Sequence, residues 1–384
     1  MKTILLLFVI KVAAGCTLGL VNHFLLRNTT DYDTYNQLGI AEYHTLFSDP
    51  ALFFTDIFKS NYTGYGEYFG STGSYWNDLR TNIIFKVLGI MNIFSGGNYY
   101  INSLFFNFIS FLGHVALYRV FITVYPKRNS AVIVGCFLLP SVLYFSSGIH
   151  KDLIIFTALC IFCYSLFFLL RKGVSRKRIF FLIASFLVML VIRNFIAVIV
   201  LPWALAWFIS SRYRIAPAKV FLSVGLLLAL GVLGLHYTAP AYDPLRVIVA
   251  QQQSFLSLDD AATEFQTDTL TPGIKSFVVA APSAIRHAWL SPYPGEFQSP
   301  FIHLFSAEMV LYWILFFIML IFPLPNGATT RDFIWFGLAC SFSVLFFTGY
   351  ITPAAGALIR YRSIYLPFIL TPVLASIDWK RLFS

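Results

Sequence analysis

The chain has 384 residues, of which 58% are hydrophobic and 11% are charged, with a mean hydropathy of +0.75 and a formal net charge of +10. Soluble domains carry about 25% charged residues, so no water-soluble fold of this length could bury so much apolar surface. This composition argues against a nucleic-acid-binding protein, a secreted disulfide scaffold and a disordered chain. It predicts an all-α integral membrane protein whose main partner is the lipid bilayer.

Runs of about 20 mostly apolar residues predict transmembrane helices. About ten such runs follow one another and indicate a single polytopic domain over residues 1–384. The first four are 4–26, 99–125, 131–147 and 153–170. The next two are the shorter runs 179–192 and 195–210, and the last four are 220–237, 301–322, 333–351 and 363–377.

The distribution of Lys and Arg predicts which loops are cytoplasmic. Residues 179–210 have basic residues on both flanks, so we expect a helical hairpin with Arg193 and Asn194 at its tip rather than one crossing. With the N-terminus inside, fourteen Lys and Arg but only two acids, Asp332 and Asp378, lie on the cytoplasmic side. An even number of helices then returns the C-terminus to the cytoplasm.

Two large extracytoplasmic loops, 27–98 and 238–300, hold most of the sequence outside the predicted spans. The first loop is rich in Tyr, Phe, Gly and Asn, which can stack on and hydrogen-bond a hydroxylated ligand. Its apolar stretch 82–94 is too short to span a bilayer and predicts an interfacial helix. The second loop is acidic and interrupted by prolines. We expect both loops to contain interfacial helices.

Asp31 and Asp33 follow the first predicted helix and are the first candidate catalytic residues. Two carboxylates at positions i and i+2 can jointly hold a divalent cation such as Mg²⁺ or Mn²⁺. Alternatively, one can act as a general base while the other orients it. A structural explanation is also open, because either carboxylate could cap the helix that follows.

His150, Lys151 and Asp152 join the third and fourth predicted helices at the outer face. Charged groups are costly at a membrane boundary, and these could bind an anion such as a phosphate. Alternatively, Asp152 caps the fourth helix and Lys151 extends to the lipid headgroups.

Three further arginines are candidates for binding a phosphate. Arg193 lies at the tip of the predicted short hairpin, where an arginine should face protein, a carboxylate or a ligand. Arg360 and Arg362 flank Tyr361 at the outer start of the last helix and could clamp a phosphate or anchor lipid headgroups. Glu308, early in the eighth helix, is a carboxylate partner for one of these cations, in a catalytic or a structural ion pair.

An acidic pair beside several cations suits a reaction of a lipid-linked phosphate. The phosphate leaves as an anion, which cations stabilise. The acceptor hydroxyl needs a base, which a carboxylate provides.

The overall layout resembles the GT-C superfamily of polytopic glycosyltransferases. The stretches 140–152 and 356–367 also resemble bacterial membrane proteins associated with surface-polysaccharide synthesis. The resemblance implies inverting transfer of a sugar from a polyprenyl-phosphate carrier to a glycan, lipid or protein acceptor outside a bacterial inner membrane. By the same analogy, Asp31 or Asp33 is the base or a metal ligand.

Other functions stay open at this point. A polysaccharide polymerase would also use outer-face arginines on lipid-linked glycans. A transporter or flippase would need charges along a path through the bilayer, but apart from Lys11, His114 and Arg119 the intramembrane charges cluster at the outer end, and no inverted repeat is evident. A membrane acyltransferase centred on His150 and a non-catalytic scaffold are further alternatives.

Overall fold

The computed structural model describes residues 2–24, 31–62, 74–257, 263–324 and 328–383, with the backbone only at 31 and 32. These residues form α-helices joined by turns, without a β-strand. The first nine helices are α1 (Lys2–Phe24), α2 (Asp31–Ser48), α3 (Pro50–Thr55), α4 (Tyr75–Ser95), α5 (Tyr99–Val124), α6 (Asn129–Ile133), α7 (Pro140–Phe145), α8 (Lys151–Lys172) and α9 (Arg176–Ile192). The others are α10 (Asn194–Tyr213), α11 (Pro217–Thr238), α12 (Pro244–Leu256), α13 (Ile274–Ile285), α14 (Pro300–Ile321), α15 (Asp332–Ile351), α16 (Ala355–Ser376) and α17 (Trp379–Leu382).

The all-α membrane class predicted from the composition is confirmed. Among the described residues, seven helices are long and apolar enough to cross a bilayer. They are α1, α5, α8, α10, α11, α14 and α15. They match seven of the ten predicted spans, and the protein is an integral membrane protein.

The third predicted span, 131–147, is not one continuous helix. α6 passes into a π-helical turn at Val134–Leu138, and Leu139 is extended before α7 begins at Pro140. Proline has no N–H to donate and disfavours helical geometry at the residue before it, which accounts for the break.

The fifth and tenth predicted spans differ from expectation in length and polarity. α9 has 17 residues and ends at Ile192, with Arg193 as the one non-helical residue before α10. α16 begins at Ala355, eight residues before the predicted span, and so includes Arg360 and Arg362. These charges lower its apolar character, although most of its residues are buried.

The chain divides into two compact units. Unit 1 contains residues 1–117, 142–165 and 179–194, and unit 2 contains residues 118–141, 166–178 and 195–384.

In unit 1, α2 packs along α4, and both lie in the predicted first outer loop. α4 begins at Tyr75, earlier than the predicted 82–94, because the Ser74 side chain accepts a hydrogen bond from the Asn77 N–H and caps the helix. Lys86 on α4 is buried and pairs with Glu42 at 2.5 Å and Asp56 at 2.6 Å. This ionic contact fixes α4 against α2 and the turn after α3.

In unit 2, α15 and α16 pack together, and α12 and α13 pack on α15. Large aromatic side chains fill part of the interior. The ring of Trp207 lies 5.4 Å from that of Phe333 and 5.1 Å from that of Phe336. Gly349 on α15 lets the backbone of α13 approach closely, since a Cβ there would lie 2.3 Å from the Ala284 carbonyl oxygen.

Candidate functional site

In unit 1, the loop between α7 and α8 and the first two residues of α8 carry three of the polar residues singled out by the sequence, His150, Lys151 and Asp152. We call residues 146–152 segment 146–152. It turns at Gly148, whose φ of +87° strongly favours glycine. A Cβ at this position would lie 3.2 Å from both Leu18 and the Tyr99 hydroxyl oxygen. The segment is therefore held closely against α1 and α5.

The first half of segment 146–152 solvates a buried cation that the sequence analysis did not assign to it. Lys11, in the middle of α1, is 2% exposed. Its ammonium donates to the Ser146 carbonyl and hydroxyl oxygens, both at 2.7 Å, and lies 3.4 Å from the Ser147 hydroxyl oxygen and 3.3 Å from His114 Nε2. Among the described residues no carboxylate forms an ion pair with Lys11, so neutral oxygens and an imidazole compensate its desolvation.

The second half of segment 146–152 binds another buried cation. Asp152, at the start of α8, accepts a hydrogen bond from Arg193 Nη2 at 2.5 Å. The two side chains are 1% and 6% exposed. The predicted need of Arg193 for a protein partner is thus met by a carboxylate from the same set of candidates.

His150 lies between this ion pair and α2. Its Nδ1 is 2.9 Å from Asp152 Oδ2 and 3.1 Å from the Asp152 backbone nitrogen. In one tautomer Nδ1–H donates to the carboxylate and leaves Nε2 as an acceptor; in the other, Nδ1 accepts from the backbone N–H. The ring contacts Tyr35 of α2 edge-on, with centroids 6.0 Å apart.

This contact places the start of α2 beside segment 146–152. Asp33 is two residues before Tyr35, and its side chain accepts a hydrogen bond from Gln37 Nε2 at 2.7 Å. Asp33 is also close enough for its charge to interact electrostatically with the Tyr99 hydroxyl, which lies against Gly148. Asp33, His150, Lys151, Asp152 and Arg193 therefore belong to one region of unit 1.

The side chain of Asp31 lies outside the described residues, although the backbone there begins α2. Within the described residues, no group of three or more His, Cys, Asp or Glu side chains is arranged to hold a metal ion. A divalent cation would need Asp31 together with Asp33, so the metal site stays a prediction.

Unit 2 contains a second buried polar group, formed by Ser141, Glu308 and Tyr312. The helix break at Pro140 leaves the Ser141 N–H without a helical acceptor, and Glu308 Oε1 accepts from it at 2.8 Å. The Tyr312 hydroxyl donates to the same oxygen. Glu308 therefore satisfies donors that would otherwise be unpaired inside the protein.

The two arginines of the last predicted helix have different surroundings. Arg362 is 3% exposed and donates to the Ser291 carbonyl oxygen at 2.5 Å, and its charge interacts with that of Glu308. Arg360 is half-buried and lies over the Tyr361 ring, 5.5 Å from its centroid. Residues i and i+2 do not share a helix face, and the two guanidinium groups engage different partners in the protein. A phosphate clamp formed by both stays a prediction.

His287 is a buried titratable residue that the sequence analysis did not single out. Its ring stacks on Phe265 with centroids 4.3 Å apart. Burial lowers the pKa of His287 to about 4, the nearby charge of Arg286 acts in the same direction, and Asp268 opposes it. The ring is therefore neutral at physiological pH. No motif or spacing in the sequence indicates its burial.

Comparisons with protein-family models, curated proteins and solved structures find no match to this chain.

The Asp152–Arg193 pair predicts a strong coupling in stability. Asp152→Asn and Arg193→Gln should each lower the free energy of unfolding by about 3–5 kcal/mol, because each leaves a buried charge without its partner. The double variant should lose much less than the sum of the two. Reversible unfolding in detergent micelles measures all three. Additive losses would contradict a direct charge pair.

Glu308 gives a second prediction, which separates a structural from a chemical role. Glu308→Gln keeps a carbonyl oxygen for both the Ser141 N–H and the Tyr312 hydroxyl, so it should unfold close to the wild-type midpoint. Glu308→Leu leaves both donors unpaired and should cost about 3 kcal/mol. Thermal unfolding of the two variants tests this. Equal destabilisation by Gln and Leu would show that the charge, rather than the acceptor, matters.

Proposed function

We propose that the protein transfers a sugar from a polyprenyl-phosphate-linked donor to a hydroxyl of a glycan, lipid or protein acceptor at the extracytoplasmic membrane face. The observation that supports this most is the contact between Tyr35 and His150, because it brings the helix bearing Asp33 beside segment 146–152, which contains Lys151. A base and cations in one region are what this reaction requires.

In the proposed reaction Asp33 takes the proton from the acceptor hydroxyl. The acceptor oxygen forms a bond to the anomeric carbon, and the bond from that carbon to the phosphate oxygen breaks. The electron pair of that bond leaves with the phosphate. The products are the inverted glycoside and polyprenyl phosphate. A divalent cation held by Asp31 and Asp33 is an alternative way to activate the acceptor.

Lys151 is the phosphate-binding residue that we favour in unit 1. The charges of Arg193 and Asp152 neutralise each other in their ion pair. Lys151, next to this pair, therefore gives this part of the segment a net positive charge. His150 and Arg193 then act mainly by holding segment 146–152 in place.

We further propose that the protein lies in a bacterial inner membrane with both termini in the cytoplasm. The basic loops support this orientation through their charge alone. A polysaccharide polymerase is the nearest alternative enzyme. It would join whole repeat units, so the product would show a distribution of chain lengths rather than a single added sugar.

The test is release of polyprenyl phosphate by the purified protein in lipid nanodiscs. A panel of polyprenyl-phosphate-linked sugars is supplied with a bacterial glycan extract, and products are identified by mass spectrometry. Asp33→Asn should reduce the rate by at least about 100-fold, the range for loss of a general base. The variant can still accept the hydrogen bond from Gln37, so it should unfold like the wild type.

Asp49→Asn is the matched control, because it makes the same charge change in the same predicted loop and Asn caps a helix as well as Asp does. This control should retain the wild-type rate. Full activity of Asp33→Asn would remove the catalytic assignment of Asp33. Absence of sugar transfer by the wild type with every donor would contradict the proposed function.

A further inference from the structure

A group of basic loops lies together at one end of unit 2. The Thr329 N–H donates to the Val124 carbonyl oxygen at 2.8 Å, and the Leu324 N–H donates to the Ser376 carbonyl oxygen at 2.8 Å. These bonds join the chain after α5, the chain after α14 and the end of α16. The loops and α17, which follows α16, carry five cations: Lys127, Arg128, Arg331, Lys380 and Arg381.

The described acids at this end are already engaged within the protein. Asp332 accepts hydrogen bonds from the Ser210 and Ser211 hydroxyls at 3.2 and 2.7 Å. Asp378 caps α17 by accepting from the Arg381 N–H at 3.3 Å. This end of unit 2 therefore has a clear excess of positive charge. It lies at the face that the sequence predicts to be cytoplasmic.

A cavity of about 460 Å³ opens at this end beside α16. Lys127 and Arg128 line one part of it, and no acid is among the described residues that line it. Val134 and Leu374 supply an apolar wall, and Val134 is 39% exposed at the surface of the helices. One cavity thus presents cations next to apolar surface.

Trp379 completes the lining of this cavity. Its indole N–H donates to the Leu374 carbonyl oxygen at 3.0 Å, which fixes the ring. Tryptophan is enriched where lipid headgroups meet the hydrocarbon region of a bilayer. The position of Trp379 beside these cations therefore favours a cavity at the depth of the lipid headgroups.

We propose that this cavity is a binding site for an anionic phospholipid, with the phosphate at Lys127 and Arg128 and an acyl chain against Val134 and Leu374. Charge complementarity favours an anionic headgroup, because basic pockets between membrane helices bind such lipids. The apolar wall favours a lipid over a free anion. The site lies in unit 2 and does not depend on the proposed transfer reaction.

Native mass spectrometry of the full chain in detergent tests this site. The probes are dioleoyl phosphatidylglycerol, dioleoyl phosphatidylcholine and inorganic phosphate. Phosphatidylglycerol should bind more tightly than phosphatidylcholine, which has the same chains without net charge. The double variant Lys127→Gln with Arg128→Gln should bind phosphatidylglycerol about 30-fold more weakly, because each cation near an anionic headgroup strengthens binding about fivefold.

Arg176→Gln with Lys177→Gln is the control, because it removes two exposed cations from the start of α9, away from the residues that line this cavity. It should leave phosphatidylglycerol affinity within about twofold. Lys127→Glu is a second variant for the case that the double variant does not fold, since it alters only one exposed side chain. It should also weaken phosphatidylglycerol binding. The proposal would be overturned if the control lost as much phosphatidylglycerol affinity as the double variant, or if phosphatidylcholine bound as tightly as phosphatidylglycerol. Displacement of phosphatidylglycerol by equimolar inorganic phosphate would overturn it as well.

Discussion

A positive charge buried among membrane helices must be surrounded by oxygen or nitrogen acceptors, and unit 1 meets this requirement twice with one short loop. Segment 146–152 provides the hydroxyl and carbonyl oxygens around Lys11 at one end and the carboxylate for Arg193 at the other. Because a buried polar group without a hydrogen-bond partner is costly, the contacts to Lys11 and Arg193 hold this loop in its path. The proposed site therefore lies on a segment held by several buried polar contacts, and Lys151 is part of this segment.

In unit 2, the same need for hydrogen-bond partners applies to buried backbone groups. Pro140 interrupts a helix, and the freed N–H of Ser141 is satisfied by Glu308. Arg362 is likewise held by the Ser291 carbonyl oxygen. Both residues are candidates for chemistry in the sequence, and in the structure each also compensates irregular backbone inside a membrane protein.

The sequence predicts the parts of this fold that depend on local composition. Long apolar runs predict the seven helices that are long and apolar enough to cross a bilayer among the described residues. The non-helical residue between α9 and α10 falls at Arg193, where the predicted hairpin has its tip. Partners distant along the chain could not be predicted. Lys11 and Ser146 are 135 positions apart, and Asp152 and Arg193 are 41 apart, so no spacing pattern connects them. The need of Arg193 for a partner followed from its burial cost, but the identity of that partner required the fold.

The measurement that tests the central claim most directly is an experimental structure of the protein in lipid nanodiscs with bound polyprenyl phosphate. The account predicts that the phosphate lies about 3 Å from the Lys151 ammonium, with segment 146–152 unchanged and Asp33 facing the space where the sugar would be attached. A phosphate bound away from Lys151, or the absence of any bound carrier at saturating concentration, would contradict the assignment of this region as the site of sugar transfer.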